Sequence, residues 1–315
     1  MSKPPKVSLI ILTTNALEMT KTQLIDIAEL KTGGVNAECL VVDNGSHDGT
    51  EENLKNYKLP NMDYKFIETG ANLGFAGGNN VGIKDALMRG FDYIILLNND
   101  LILPKDFMEK MVNFMEENRD VGIASPKMYF AKGYEFHKDR YQKKDLGRVI
   151  WYAGGIIDKK NAYSSHLGVD EVDKGQYEEV QDTDFANGAA LIIRRAVFEK
   201  VGLMNSPYFL YWEDADFCQT ANKAGFRVVY FPGTHLWHKV SSSTGGSGSP
   251  TNDYFLTRNR LYFAKRHLPL RTKFAVFRDT VRLAFTGRSW QKKGAIDALL
   301  GIKGMGAWAH RNDEL

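Results

Sequence analysis

Glu213, Asp214 and Asp216 place three carboxylates within four positions, directly after the aromatic run YFLYW. Carboxylates crowded beside apolar surface hold their protons more tightly, which suits a general base. Acidic side chains also favour the first turn of a helix through its dipole, so the cluster alone reads as a helix start as well. A second polar group, Asn98, Asn99 and Asp100, closes the apolar run YIILL. Mg²⁺ or Mn²⁺ is held by one or two carboxylates completed by substrate phosphates and water, so Asp100 with a neighbouring Asn carbonyl forms half of such a site. The competing reading is a polar cap leading to Pro104. His235 and His238 flank Trp237 and offer imidazole nitrogens to a metal, although a histidine is more often structural.

The segment 72–80 (NLGFAGGNN) carries Gly74, Gly77 and Gly78, then opens a helix whose free N–H groups favour anions. It reads as a diphosphate cradle, reaching from Asn72 to Asn79, yet matches neither the dinucleotide fingerprint nor the lysine-bearing phosphate loop. Two apolar runs end in polar residues, the first in Thr13, Thr14 and Asn15, the second in Asp43, Asn44 and Gly45. Ligands of open parallel sheets bind at the carboxyl ends of strands, so these ends would line one crevice. The same residue types also favour turns for their own reasons.

The elements that must position these groups follow from periodicity. The runs 7–12, 39–43 and 93–98 are apolar throughout and suit strands buried on both faces of a parallel sheet. Helical stretches lie between and after them at 20–30 and 79–89, and beyond Pro104, taken as the first turn, with Phe107, Met111, Phe114 and Met115. Strand and helix alternate, which makes the first half α/β. Beyond it, 132–148 reads as an exposed charged insertion, 149–157 as a return to order, 186–193 as a strand, 214–224 as a helix and 227–231 as a short strand stopped by Pro232. The Gly/Ser segment 241–250 reads as a flexible loop, either linker or lid. Helical pattern resumes at 254–267, and then Phe274, Phe277, Val281 and Ala284 share a face beside Arg271, Arg278 and Arg282. We therefore expect a domain over 1–240, α/β over about 1–103 and mixed over about 104–240, and a basic helical extension over 251–315.

With 315 residues and 43% apolar content, the chain can bury a large core. Residues 251–315 hold 13 Lys and Arg against 5 Asp and Glu, a net +8, whereas residues 1–250 hold 28 against 33, a net −5. Cys39 and Cys218 are too few for a disulfide framework and read as buried thiols. Neither a membrane-spanning run nor a secretory signal is legible, which points to the cytoplasm. Basic and aromatic residues do not interleave as in a nucleic-acid module, so no nucleic-acid partner is expected.

Taken in order, the segments VSLIILTTN, VVDNGSHDGT, NLGFAGGNN, LLNND, ANGAALIIRRAVFEKVG, FLYWEDADFC, LWHK and RNRLYF resemble the inverting family 2 glycosyltransferases of GT-A fold, rhamnosyltransferase-like branch. The resemblance implies a Rossmann-like, mostly parallel sheet, a mixed acceptor-side half and a C-terminal helical extension. It implies a nucleotide-sugar donor, with Thr13, Asn15 and Asp43 at base and ribose. Asn44, Asn72, Gly74, Gly77, Asn79, Asn98 and Asn99 would line the donor site, and Arg258 would face its phosphate. Asp100, His238 and Asn98 would hold Mn²⁺ or Mg²⁺, with Asn98 standing where the family often has Asp. Asp214 would be the catalytic base, Glu213 would position it, and Asp216 would be structural or face the acceptor. The branch favours dTDP-rhamnose or a UDP-hexose as donor and a glycan or lipid-linked hydroxyl as acceptor.

Two other classes fit parts of the pattern. A sugar-phosphate nucleotidyltransferase needs a basic residue in its first phosphate loop, and the chain offers none there before Lys21. A nucleotide-sugar-binding protein without activity would not need Asp100, Asp214 and His238 together. The basic tail raises a separate expectation, that residues 271–285 lie on the inner face of an anionic membrane; against it stands packing of their apolar face on the core. Oligomeric state is not legible.

Overall fold

The computed structural model describes residues 3–240 and 248–314. Most of the expected Gly/Ser loop, 241–247, lies outside the described residues. The first part of the chain forms β1 (Lys6–Thr13), α1 (Leu17–Ala28), β2 (Asn36–Asp43), α2 (Thr50–Leu54), β3 (Asp63–Glu68), α3 (Gly74–Met88), β4 (Tyr93–Leu97), β5 (Leu101–Ile102) and α4 (Phe107–Glu117). It continues through β6 (Val121–Phe130), β7 (Ile150–Tyr152), β8 (Gly155–Asp158), β9 (Tyr163–His166), β10 (Gln181–Asp182), β11 (Ala190–Arg194), α5 (Arg195–Val201), α6 (Glu213–Lys223) and β12 (Arg227–His238). Three helices close it: α7 (Pro250–His267), α8 (Leu270–Thr286) and α9 (Ser289–Leu300).

The main sheet runs in the order β10-β12-β6-β11-β4-β1-β2-β3. Strands β3, β2, β1 and β4 are mutually parallel, and β11 enters antiparallel between β4 and β6. Thr13 and Asp43 are register partners at the carboxyl ends of β1 and β2, so parallel pairing delivers both polar tips to one edge. The central strands are buried on both faces because helices cover both, as their uninterrupted apolar sequence requires. On α3, Gly78 and Gly82 lie one turn apart; a Cβ at either would strike Leu12, or Ile10 and Val42, so glycine lets the helix lie directly on the sheet.

Several boundaries differ from the expectation, each for a local reason. Helix α3 begins at Gly74 rather than Asn79, which puts Gly77, Gly78 and Asn79 inside its first turns. Pro104 precedes α4, where its carbonyl takes the N–H of Phe107 in a turn. Strand β12 does not stop at Pro232 but runs on to His238 across a register shift between Phe231 and His235, the kind of irregularity that accommodates a residue without an N–H. Helix α7 starts at Pro250, four residues before Tyr254, because Ser249 caps it by accepting from Asn252 N–H and Pro250 fits the first helical position.

Candidate active site

The donor-side loops are tied to one another by their own polar groups. Asn15, at φ 48°, accepts the His47 N–H at 2.7 Å, while its own N–H donates to Ser46 Oγ. Asp43 is buried and accepts the Ser46 N–H at 3.1 Å. Thr13 Oγ1 accepts from Thr20 Oγ1, and the Asn99 amide also donates to Thr20 Oγ1 at 3.0 Å. Asn44 is buried and clasps the next loop, donating to Asn72 Oδ1 and accepting the Leu73 N–H. Asn72 Oδ1 also takes the Gly74 N–H, and Asn79 donates back to Phe75 O inside α3. The side chains of Asn44 and Asn79 therefore serve loop and helix rather than presenting a free amide to a ligand. At Gly74, with φ 75°, a Cβ would lie 2.4 Å from Phe209 O, so glycine is needed there for the close approach of that backbone. A Cβ on Gly77 would first meet Leu73.

Strand β5 pairs with the end of β12, setting Leu101 against His238, and so brings Asp100 to His238 across the sheet. Both are buried, and His238 Nε2 stands 3.1 Å from Asp100 Oδ1. The Nδ1 atom of His238 has no hydrogen-bond partner. A carboxylate oxygen converging on an imidazole nitrogen suits a divalent cation, and no third His, Cys, Asp or Glu completes a cluster among the described residues. Asn98 is half-buried at the end of β4, with its N–H on Ala189 O. His235 shares the opposite face of β12 with Trp237, where its ring packs edge-on, so it does not join Asp100.

The acidic helix start is built differently. Phe209, Tyr211 and Trp212 hold φ values of 66°, 67° and 74°, a conformation that costs on the order of 1–3 kcal/mol for each non-glycine residue. Phe209 sits at the centre of a tight turn closed by Leu210 N–H on Tyr208 O at 2.8 Å, the rare and strained γ form. Directly beyond, Asp214 accepts the Gly188 N–H at 3.1 Å and the Ala215 N–H at 2.7 Å. Burial raises the Asp214 carboxyl above the ordinary aspartate range, opposed by those two N–H groups. Glu213 is buried, its Oε2 has no partner, and burial followed by the charge of Asp214 pushes its carboxyl well up. Asp216 takes Tyr208 Oη at 2.9 Å, Arg266 Nε at 2.7 Å and His267 Nε2 at 2.8 Å. Burial raises its carboxyl, but these donors outweigh that and hold it low, which makes Asp216 an anchor for the end of α7.

Arg258 does not face a phosphate. It is wholly buried, donating to Tyr208 O at 2.7 Å, Gly304 O at 2.5 Å and the Asn259 amide oxygen at 2.9 Å. In this position the arginine ties the strained turn, through Tyr208 O, to the C-terminal extension, through Gly304 O. Sequence reasoning also missed the turn 187–189. Its Gly188 N–H fixes Asp214 and its Ala189 carbonyl takes Asn98 N–H, linking the acidic corner to the end of β4. Beside it, Trp151 stacks edge-on between the rings of His166 and His238, with centroids at 4.7 and 4.3 Å. Burial holds the His166 ring down to about 4, so it is neutral, accepting from Asn187 and donating to Trp151 O. Asn187 and Gly188 are visible in the ANGA run, whereas nothing in the sequence marks Trp151 or His166.

A mostly parallel sheet with polar loops at its strand ends, joined to a mixed half that supplies an acidic helix start, is the GT-A architecture of glycosyltransferases. A mannosyltransferase from Pyrobaculum calidifontis in complex with GDP-Man and Mn²⁺ superimposes with a TM-score of 0.56 at 16% identity, over 95% of this chain and 75% of the other. GalNAc-T7 with UDP, GalNAc and Mn²⁺ gives 0.66 at 15% identity, over 100% and 58%. The signature of glycosyl transferase family 2 matches residues 8–202, and the chain belongs to that family. That stretch holds both donor loops, Asp100 and the 187–189 turn, but ends before Asp214 and His238.

Curated relatives include a low-salt glycan biosynthesis hexosyltransferase of Haloferax volcanii, Agl10, 26% identical over 61% of this chain and 55% of its own length. An N-acetylglucosaminyl-diphospho-decaprenol L-rhamnosyltransferase of Mycobacterium tuberculosis is 25% identical over 65% and 67%. The dTDP-rhamnosyl transferase RfbF of Shigella flexneri is 25% identical over 89% and 90%. The chain thus spans about half of the first relative and most of the last.

Proposed function

We propose that the protein is an inverting glycosyltransferase that moves a sugar from a nucleoside-diphosphate donor, dTDP-rhamnose or a UDP-hexose, onto a hydroxyl of a glycan or lipid-linked acceptor. The observation that carries this reading is the turn 187–189, which fixes Asp214 through Gly188 and the end of β4 through Ala189. It sets a carboxylate base beside the strand end that carries Asp100. Asp214 removes the acceptor proton, the hydroxyl oxygen bonds to the anomeric carbon, and the bond to the departing diphosphate breaks from the opposite face. Two backbone N–H groups orient Asp214, while burial keeps its proton affinity high enough for general-base work. Glu213, buried beside it with Oε2 unpartnered, has its carboxyl pushed well up by burial and by the charge of Asp214, which disfavours a second negative charge at the site. Thr13, Asn15 and Asp43 form the floor on which base and ribose sit. Asp100 and His238, with Asn98 beside them, would hold Mn²⁺ or Mg²⁺, which when bound neutralises charge on the leaving diphosphate.

Relatives named for dTDP-rhamnose and for a decaprenol-linked sugar support the donor and acceptor classes. The test is a thermal-shift panel of nucleotide-sugars with and without Mn²⁺, followed by donor hydrolysis with the donor that binds. A metal-dependent shift with one donor, and release of its nucleoside diphosphate, is expected. Absence of any shift would leave a ligand of another class, and a shift without turnover would mark a binding protein.

A membrane-linked acceptor is favoured by α8. Its inward face carries Thr272, Val276 and Thr280, while Leu270, Phe274, Phe277 and Phe285 are 71, 72, 48 and 77% exposed. That stripe faces away from the core, with Arg271, Arg278 and Arg282 beside it. No described helix is long and apolar enough to cross a bilayer. Aromatic side chains flanked by arginine suit an anionic lipid surface, which we take as the partner of this face. Flotation with phosphatidylglycerol vesicles should recover the full chain, and Phe274→Ser with Phe277→Ser should lose it; equal flotation of the variant discards the idea.

A further inference from the structure

The corner that aims Asp214 is held from a distance by two buried residues of α7. Tyr208, Phe209, Leu210 and Tyr211 turn four successive carbonyls toward donors on neighbouring helices. Asn259 Nδ2 reaches Tyr208 O at 2.9 Å, Leu210 O at 2.7 Å and Tyr211 O at 2.9 Å. Arg258 reaches Tyr208 O as well, and by donating to Asn259 Oδ1 it fixes which way that amide faces. On the other side, Phe75 N–H of α3 takes Phe209 O at 2.6 Å. Both α7 side chains are wholly buried, and the Arg258 guanidinium lies over the rings of Tyr254 and Phe255 at 5.3 and 5.0 Å.

A turn with three left-handed non-glycine residues does not keep that shape by itself, since relaxed conformers are open to each of them. Trp212, the last of the three, immediately precedes Glu213 at the start of α6, so relaxation of the turn would redirect the Asp214 carboxylate. We propose that Arg258 and Asn259 are positioning residues, a carbonyl clamp that holds the strained turn and thereby aims the base. The inference rests on the reading of Asp214 as that base. It also gives the C-terminal extension a part in the site, because Gly304 accepts from Arg258 and donates its N–H to Pro207 O.

The test compares the full-length wild type with Asp214→Asn, Asn259→Ala and Arg258→Lys, measuring kcat and donor affinity separately. Asn259→Ala should lower kcat on the order of 10²-fold, the scale of a misplaced reacting group, with donor affinity changed at least ten times less. Arg258→Lys keeps the charge on a single nitrogen but loses the fork that spans Tyr208 O, Gly304 O and Asn259 Oδ1; it should retain more of kcat than Asn259→Ala, and it stands in if the alanine variant does not fold. Wild-type kcat in the soluble Asn259 and Arg258 variants, or an equal fall in kcat and donor affinity, overturns the clamp. Full activity in Asp214→Asn would instead overturn the reading of the base and leave the clamp without an object.

Discussion

The donor side and the acceptor corner use polar residues in opposite ways. At the ends of β1 and β2, Asn15, Asn44 and Asn72 bond across loops and Asp43 within its own, and only Asn15 departs from an ordinary backbone for a non-glycine residue. At residues 208–214, three non-glycine residues are held left-handed and two neighbouring carboxyls are raised above their ordinary range. The first region joins loops 28 to 32 positions apart through side chains on mostly ordinary backbone, whereas the second holds strained backbone that α3 and α7 grip. Reactive groups tend to sit where structure over-determines an unfavourable conformation, and here the strain lies beside the proposed base rather than beside the nucleotide.

The contrast breaks most sharply at Asp214. Asp214→Asn keeps the shape but turns one accepting oxygen into an amide nitrogen, removing the basic oxygen and the partner of either the Gly188 or the Ala215 N–H, so transfer should fall on the order of 10² to 10⁴-fold while donor binding persists. Loss of donor binding in step with turnover would erase the distinction between the regions. Gly74→Ala probes where they touch: the added methyl meets Phe209 O at 2.4 Å and adopts a positive φ, so stability should fall by about 1–3 kcal/mol in chemical denaturation. A stability like wild type would show that α3 and the turn are not locked together.

The smallest effect is one of pH. Glu213 has its proton affinity raised by folding, so it is uncharged and neutral in its effect at low pH. It costs stability as pH climbs past its unfolded value of about 4.3. Glu213→Gln removes that cost, and its Tm relative to wild type should increase from pH 4 to pH 8. A constant difference would mean that the carboxyl ionises freely in the fold. Asp216 behaves in the opposite sense: its lowered carboxyl contributes stability above its unfolded value, lost as pH falls through the folded one.

Much of the architecture was legible in the chain. Buried parallel strands announce themselves as unbroken apolar runs because both faces must be dry, and Asp, Asn and Gly at their ends mark loops without any knowledge of neighbours. The acidic start of α6 was legible for the same local reason. Which of Glu213, Asp214 and Asp216 is bonded, bare or anchored was not, since the answer lies in Gly188, Tyr208, Arg266 and His267, from 8 to 51 positions away from the carboxylates they bond. Arg258 stood as a phosphate ligand only through the resemblance, which carries over an arginine's place in the chain but not its burial.

By itself, then, the sequence determined the central strands β1, β2 and β4, the longer helices, the strand-end loops and the residue types able to do chemistry, because these depend on periodicity and short-range turns. Tertiary structure alone decided that the pairing of β5 with β12 is what brings Asp100 to His238, which the resemblance had only implied, that Gly78 and Gly82 of α3 serve packing, and that Asn259 holds the turn before Asp214. Such pairings are set by strand register and helix packing over long separations, where hydrogen bonds and steric contact act but sequence proximity does not.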